Sequence, residues 1–320
     1  MTLFSLFSAQ LFLLTAALDV PSGDLDPVRI TELFNDFADE FGKVYPTPSD
    51  QMNAYSAFSA NLLKIQELRK EFDGRELEFG INQYSDLSDA EFAQKVSNLE
   101  PSYQRESLEK SKKIGSIPSF LDWRTRKNTV GKVRNQGISG CGWAFAVASA
   151  LQSAYSLRFI ELLHPSEHSL CACSQAKSLE EGLRWVNESG VALEDTWNGT
   201  CSNWENKISP YTFFPVFPNS EHGIQRALVE NGPIIASFRV GLAFRHYKSG
   251  VFNSTDCRNT GTSIGWHAAT VVGYGSSFGK PYWTVKNSWG EHFGENGYVR
   301  FARGESLCDI ETAPAFVTEM

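Results

Sequence analysis

Apolar positions recur at helical spacing through the first third of the chain. Leu33, Phe34, Phe37 and Phe41 keep a three-to-four rhythm that Gly42 closes. A second amphipathic helix is predicted to open after Thr47-Pro48-Ser49-Asp50, a capping sequence. It carries Tyr55, Phe58, Leu62, Ile65 and Leu68 on one face, with Gly74 beyond its end. A long helix is predicted over 141–162, with Trp143, Phe145, Val147, Leu151, Tyr155 and Phe159 largely buried. From Ile234 onward the pattern is strand-like, in short β-rich runs at 234–238, 267–274, 282–286 and 298–302 separated by glycine-containing turns. A helical first half before a strand-rich second half predicts an α+β protein with two lobes.

Breaks in this pattern divide the chain. Residues 1–17 contain no Asp, Glu, Lys or Arg and hold the run Leu11-Phe12-Leu13-Leu14 before small residues. They read as a secretory signal peptide cleaved near Ala17, although the usual basic start is missing. Residues 28–96 form the helical segment. Residues 97–116 are polar and apolar-poor and read as an exposed linker, the kind of segment where proteolysis falls. From Ile117 to residue 320 the texture is that of a second, larger domain. No later stretch approaches the ~20 uninterrupted apolar residues that a membrane span needs.

Composition narrows the classes. Of 320 residues, 42% are hydrophobic and 21% charged, the balance of a chain that buries a core. The formal net charge of −8 argues against nucleic acid as a partner, since phosphate binding needs a basic surface. No His-Glu-x-x-His or Cys-x-x-Cys spacing points to zinc, and no cofactor is implied. Six cysteines, an even number, invite three bridges in an oxidising compartment. Sequons at Asn187, Asn198 and Asn253 fit a secretory route and a glycosylated product.

Three segments carry candidate chemistry: Asn135-Gln136-Gly137-Ile138-Ser139-Gly140-Cys141-Gly142-Trp143, then Trp266-His267-Ala268, then Lys286-Asn287-Ser288-Trp289-Gly290. Together they resemble the papain-like, cathepsin-type cysteine proteases. The resemblance runs from Ile117-Pro118 and Leu121-Asp122-Trp123-Arg124 to the carboxyl terminus. Phe58-x-x-Asn61-x-x-x-Ile65 and Gly80-x-Asn82-x-Tyr84-x-Asp86 resemble the inhibitory propeptide of the same family. The fold it implies is two-lobed, a helical lobe beside a β-rich, barrel-like lobe. An N-terminal inhibitory-type propeptide would lie across the cleft between them.

That family's chemistry needs a thiolate at a helix amino terminus, a partner histidine, an asparagine that orients it, and an oxyanion hole. The resemblance gives His267 the histidine role, Asn287 the orienting role and Gln136 the oxyanion role. At the nucleophile position, immediately before the tryptophan, stands Gly142, whose backbone N–H still suits an oxyanion hole. Cys141 lies one position early, a slip of ~100° and ~1.5 Å on a helix. Two readings of Cys141 stay open: a small core residue, or a displaced nucleophile. Ser139 replaces a bridging cysteine of the family, the Gly-Cys-x-Gly-Gly loop that clamps substrate is absent after Cys173, and Trp266 precedes His267 where Asn or Asp is usual.

The implied function is a catalytically inactive homologue, a binding or regulatory protein whose interlobe cleft holds a peptide or protein partner. It would be secreted or endolysosomal and would carry its own propeptide. The alternatives are an active endopeptidase using Cys141 and His267, and a structural or storage protein. Each site residue also has a plain structural role: His267 as a hydrogen-bonded core side chain, Asn287 as a turn former, Gln136 as a partner for local backbone. The resemblance further implies the pairs Cys173–Cys201 and Cys257–Cys308, with the family's third bridge lost and Cys171 a buried free thiol.

Overall fold

A computed structural model describes residues 18–96 and 116–320, apart from 138, 202–203, 205–206, 211, 217–219 and 260. The expected signal peptide and nearly all of the expected linker lie outside the described residues. Helix α1 (Pro27–Glu40) starts where the Asp26 carboxylate accepts the Arg29 N–H at 2.9 Å and Pro27 supplies a preset first turn. Helix α2 (Pro48–Glu71) opens with a reciprocal capping box between Thr47 and Asp50. Gly42 and Gly74, at φ +58° and +69°, take the left-handed turns that follow the two helices. Phe34 of α1 packs its ring against Tyr55 and Phe58 of α2, at 5.4 and 5.5 Å between centroids. Strand β1 (Glu78–Phe79) and helix α3 (Asp89–Val96) complete the N-terminal domain.

The rest of the chain opens with strand β2 (Leu121–Asp122). The helical lobe is built on α4 (Gly142–Phe159), joined by α5 (Glu167–Cys173) and α6 (Leu179–Ser189). Helix α4 is apolar nearly all round, and Ala144, Ala146, Val147, Ala148, Ala150 and Leu151 are all buried, as befits a central helix. Its predicted extent is corrected at both ends. Cys141 is the N-cap, and Ile160, at φ +62°, ends the helix. Phe159 is 52% exposed and Tyr155 only half-buried, so the last turn leaves the core that the apolar pattern had assigned it.

Beyond the short pair β3 (Val191–Ala192) and β4 (Lys207–Ile208), the chain becomes strand-rich. In order come β5 (Thr212–Val216), helix α7 (Glu221–Asn231), β6 (Ile234–Gly241), helix α8 (Leu242–Arg245), β7 (Tyr247–Ser249) and β8 (Val251–Phe252). Strands β9 (Ser263–Ser277), β10 (Lys280–Lys286), β11 (Tyr298–Ala302) and β12 (Ala315–Glu319) finish it. One eight-stranded sheet runs β5-β12-β6-β9-β10-β11-β8, with β2 added beside β9. Strand β5 was not legible because Pro215 interrupts it, and β2 and β12 lay outside the runs that stood out.

Two apolar cores result. One fills the helical lobe around Trp143, Leu151, Leu170 and Leu183. The other is continuous from Phe34, Phe37 and Phe58 of the N-terminal domain to Phe244, Trp289 and Phe301 of the β-rich lobe. The N-terminal domain is therefore seated on the β-rich lobe, and β1 pairs antiparallel with β7. The propeptide, residues 28–96, is expected to lie across the cleft; its described core is shared with the β-rich lobe.

Candidate active site

The site forms where the segment before α4 meets the segment after β10. Gln136 N donates to Ser288 O at 2.8 Å, Gly290 N donates to Arg134 O at 3.0 Å, and Asn135 bridges Trp289. This short ladder joins the two lobes and fixes Gln136 beside Ser288. The Gln136 side chain is buried, and its Oε1 accepts the Ser288 hydroxyl at 2.7 Å. Its Nε2 has no hydrogen-bond partner among the described residues. A buried amide N–H without an acceptor is costly to leave unmade.

His267 sits on β9 opposite Phe238 of β6, and its ring is 1% exposed. Phe238 meets it edge-on at 5.5 Å between centroids, and Trp289 covers it at 5.1 Å with a 42° tilt. Nε2 lies 2.8 Å from Asn287 Oδ1, which assigns the proton to Nε2, since a carbonyl oxygen accepts. Burial pushes the imidazole down to about 4, with the Asn287 hydrogen bond opposing it, so the ring is neutral at physiological pH. The three sequence-predicted residues Gln136, His267 and Asn287 are thus brought to one locus. Ser288 and Trp289, present in the motif but given no role from sequence, hold the first two in place.

The cysteines depart from expectation. Cys173 pairs with Cys201 and Cys257 with Cys308. Cys171, expected as a buried free thiol, is instead half-buried and bonded to Cys141, with a Cα–Cα separation of 6.0 Å. The count of three bridges suggested by the even number is right and the free-thiol reading of Cys171 is corrected; the third bridge is a different pair from the one that Ser139 replaces. No cysteine is free. Cys141 is therefore neither a bare core residue nor an available thiolate. Gly142, the first residue of α4, offers a backbone N–H and no side chain.

Around the site, α5 ends at Cys173 and α6 starts at Leu179, where Ser178 Oγ caps the Glu181 N–H at 3.2 Å. The intervening segment carries no glycine. Trp266 is half-buried under the Arg239 guanidinium, 4.5 Å from its ring centroid. Among the sequons, Asn187 and Asn198 are exposed and Asn253 is half-buried, all away from this locus in sequence and element. No group of three or more His, Cys, Asp or Glu side chains suited to a metal occurs among the described residues, and no helix there is long and apolar enough to cross a membrane.

The family described as papain family cysteine protease matches residues 117–318, and the cathepsin propeptide inhibitor domain matches residues 34–92. The chain belongs to the papain family. Relatives include fruit bromelain of Ananas comosus, 32% identical over 89% of this chain and 85% of that protein. Pro-cathepsin H of Mus musculus is 32% identical over 81% of this chain and 82% of its own length. Among solved structures, digestive procathepsin L 3 of Tenebrio molitor superposes with a TM-score of 0.79 at 25% identity, over 91% of this chain and 99% of that one. A recombinant stem bromelain precursor gives 0.77 at 28% identity, over 92% and 99%. The papain-family fold with its N-terminal propeptide region is thereby established for this chain.

Proposed function

We propose that this papain-family chain binds peptide rather than cleaving it. One observation carries the reading: all six cysteines are held in disulfides, and glycine stands at the residue taken as the nucleophile position, Gly142. Acyl transfer by this chemistry needs a thiolate beside the imidazole, and neither glycine nor a bridged Cys141 supplies one. What persists suits recognition. Gln136 Nε2 remains as a donor for a peptide carbonyl, and His267 is retained as a neutral, hydrogen-bonded ring. In this reading residues 28–96 are the propeptide, 97–116 its linker and 117–320 the peptidase-like domain, preceded by a cleaved signal at 1–17. Three disulfides suit an oxidising, secreted or endolysosomal setting, with Asn187, Asn198 and Asn253 as glycan acceptors.

The test is direct. The linker-cleaved protein is assayed on fluorogenic peptides at acid pH, with and without a thiol reductant, and treated with a thiol-reactive peptidyl epoxide. The expected result is no turnover and no label under either condition. Turnover that appears on reduction and vanishes in Cys141→Ala would overturn the reading in favour of a displaced nucleophile. A relative in Arabidopsis thaliana is named a cysteine protease, which is the reason to run the reducing arm.

A further inference from the structure

A cavity of about 240 Å³ lies between the lobes, behind the His267–Asn287 pair. Its rim carries the exposed side chains of Lys132 and Glu194, and its floor is buried and includes Thr270, Lys286 and Asn287. Charges on its wall fall into two groups. Arg134 is satisfied, flanked by Glu194 and by Glu167 at 3.4 Å. Lys286 is not. It is 5% exposed, its Nζ donates to Ser149 Oγ at 3.2 Å, and no carboxylate among the described residues comes within 4.0 Å of it.

An ammonium has three N–H donors, and a buried one needs both acceptors and a counter-charge. The adjacent residue shares the deficit, since Asn287 Nδ2 is buried with no partner among the described residues. Three cationic side chains of the wall face two carboxylates, which leaves one positive charge. Water would satisfy the donors without neutralising it.

We propose that this cavity is a binding site for one small monovalent anion, chloride or a short carboxylate, held by Lys286 Nζ and Asn287 Nδ2. Burial pushes the Lys286 ammonium down to about 8, still charged near neutral pH; Glu167 opposes this from beyond contact distance but is committed to Arg134. Ser149 Oγ lies next to the ammonium, on the wall that the anion would face. An anion on Nδ2 would also fix the Asn287 amide so that Oδ1 stays on His267. Asn287 is then a positioning residue anchored from both ends. The inference does not depend on whether the cleft hydrolyses peptide.

Chloride NMR line broadening tests it, with the full chain near neutral pH and acetate as competitor. Saturable excess broadening, displaced by acetate, is expected for the unmodified protein. It should weaken by about tenfold or more in Lys286→Met, the loss of a charge-assisted hydrogen bond and its charge. Ser149→Asp provides a second arm that leaves the lysine in place: a carboxylate beside Nζ should exclude the external anion. Far-ultraviolet circular dichroism checks that each variant is folded. The proposal fails if the unmodified protein shows no saturable broadening, or if the broadening persists undiminished in folded Ser149→Asp. Broadening displaced by chloride and not by acetate supports the site and limits it to the halide.

Discussion

Arg245, at the end of α8 in the β-rich lobe, donates its guanidinium to the Asn61 side chain of α2 in the N-terminal domain. The arginine is fully buried. Its other acceptors also belong to that domain: Leu87 O at 3.0 Å and Asp89 Oδ1 at 3.2 Å, with the Phe92 ring 5.1 Å from its carbon centre. Asn82 Nδ2 returns a bond to Arg245 O at 2.5 Å. Burial pushes the guanidinium down to about 10, so it still carries its charge under physiological conditions.

This buried contact predicts a propeptide that stays docked after the linker is cut. In a protein carrying an introduced cleavage site between residues 97 and 115, the N-terminal fragment is expected to co-elute with the rest on gel filtration. Arg245→Met should weaken that association by at least about tenfold, because several hydrogen bonds near 1 kcal/mol each are lost together. Release of the fragment from the unmodified protein at equal concentration would contradict the expectation. The amide and carbonyl acceptors do not titrate, so this part of the contact is expected to survive mild acid.

The Cys141–Cys171 bridge closes a loop with a sequence separation of 30. Loop-closure entropy for that length predicts that the double variant Cys141→Ser/Cys171→Ser loses about 3–4 kcal/mol. Denaturant unfolding under non-reducing conditions measures it. A change below about 1 kcal/mol would mean that the bridge does not restrain the unfolded chain.

Gly142→Cys places a thiol in the first turn of α4. Its expected product is a protein that a peptidyl epoxide labels at residue 142, read by mass spectrometry. Turnover of peptide substrates is expected to stay low on the proposed reading, because the segment between Cys173 and Leu179 carries no glycine to let a substrate backbone approach as an added strand. Full peptidase activity in this variant would show that the loop is dispensable.

His267 predicts an acid sensitivity of defined sign. Burial holds it at about 4 against an ordinary 6.5, so the unfolded chain binds the proton more readily. Stability from this group is complete above about pH 6.5 and falls as the pH drops toward 4, by up to about 3 kcal/mol. Urea unfolding at pH 7 and at pH 4.5 should show the loss, and His267→Gln should reduce it. An identical pH dependence in that variant would assign the sensitivity to other groups.

Much of the architecture was legible from sequence. Helical rhythm gave α1 and α2, and Gly42 and Gly74 marked their ends. Alternating and β-branched runs gave β6, β9, β10 and β11, because period and turn chemistry are local properties. The motifs around Gln136, His267 and Asn287 marked the site. Tertiary structure decided what depends on approach between distant segments. Cys171 and Cys173 stand two residues apart on α5, about 200° around the helix, so each faces a different partner, Cys141 for the first and Cys201 for the second. Sequence spacing carries no sign of that direction. The same holds for Arg245 beneath the N-terminal domain and for Lys286 beside its cavity. Residue type fixed their charge, but only the packing of remote elements removed them from water and chose their partners.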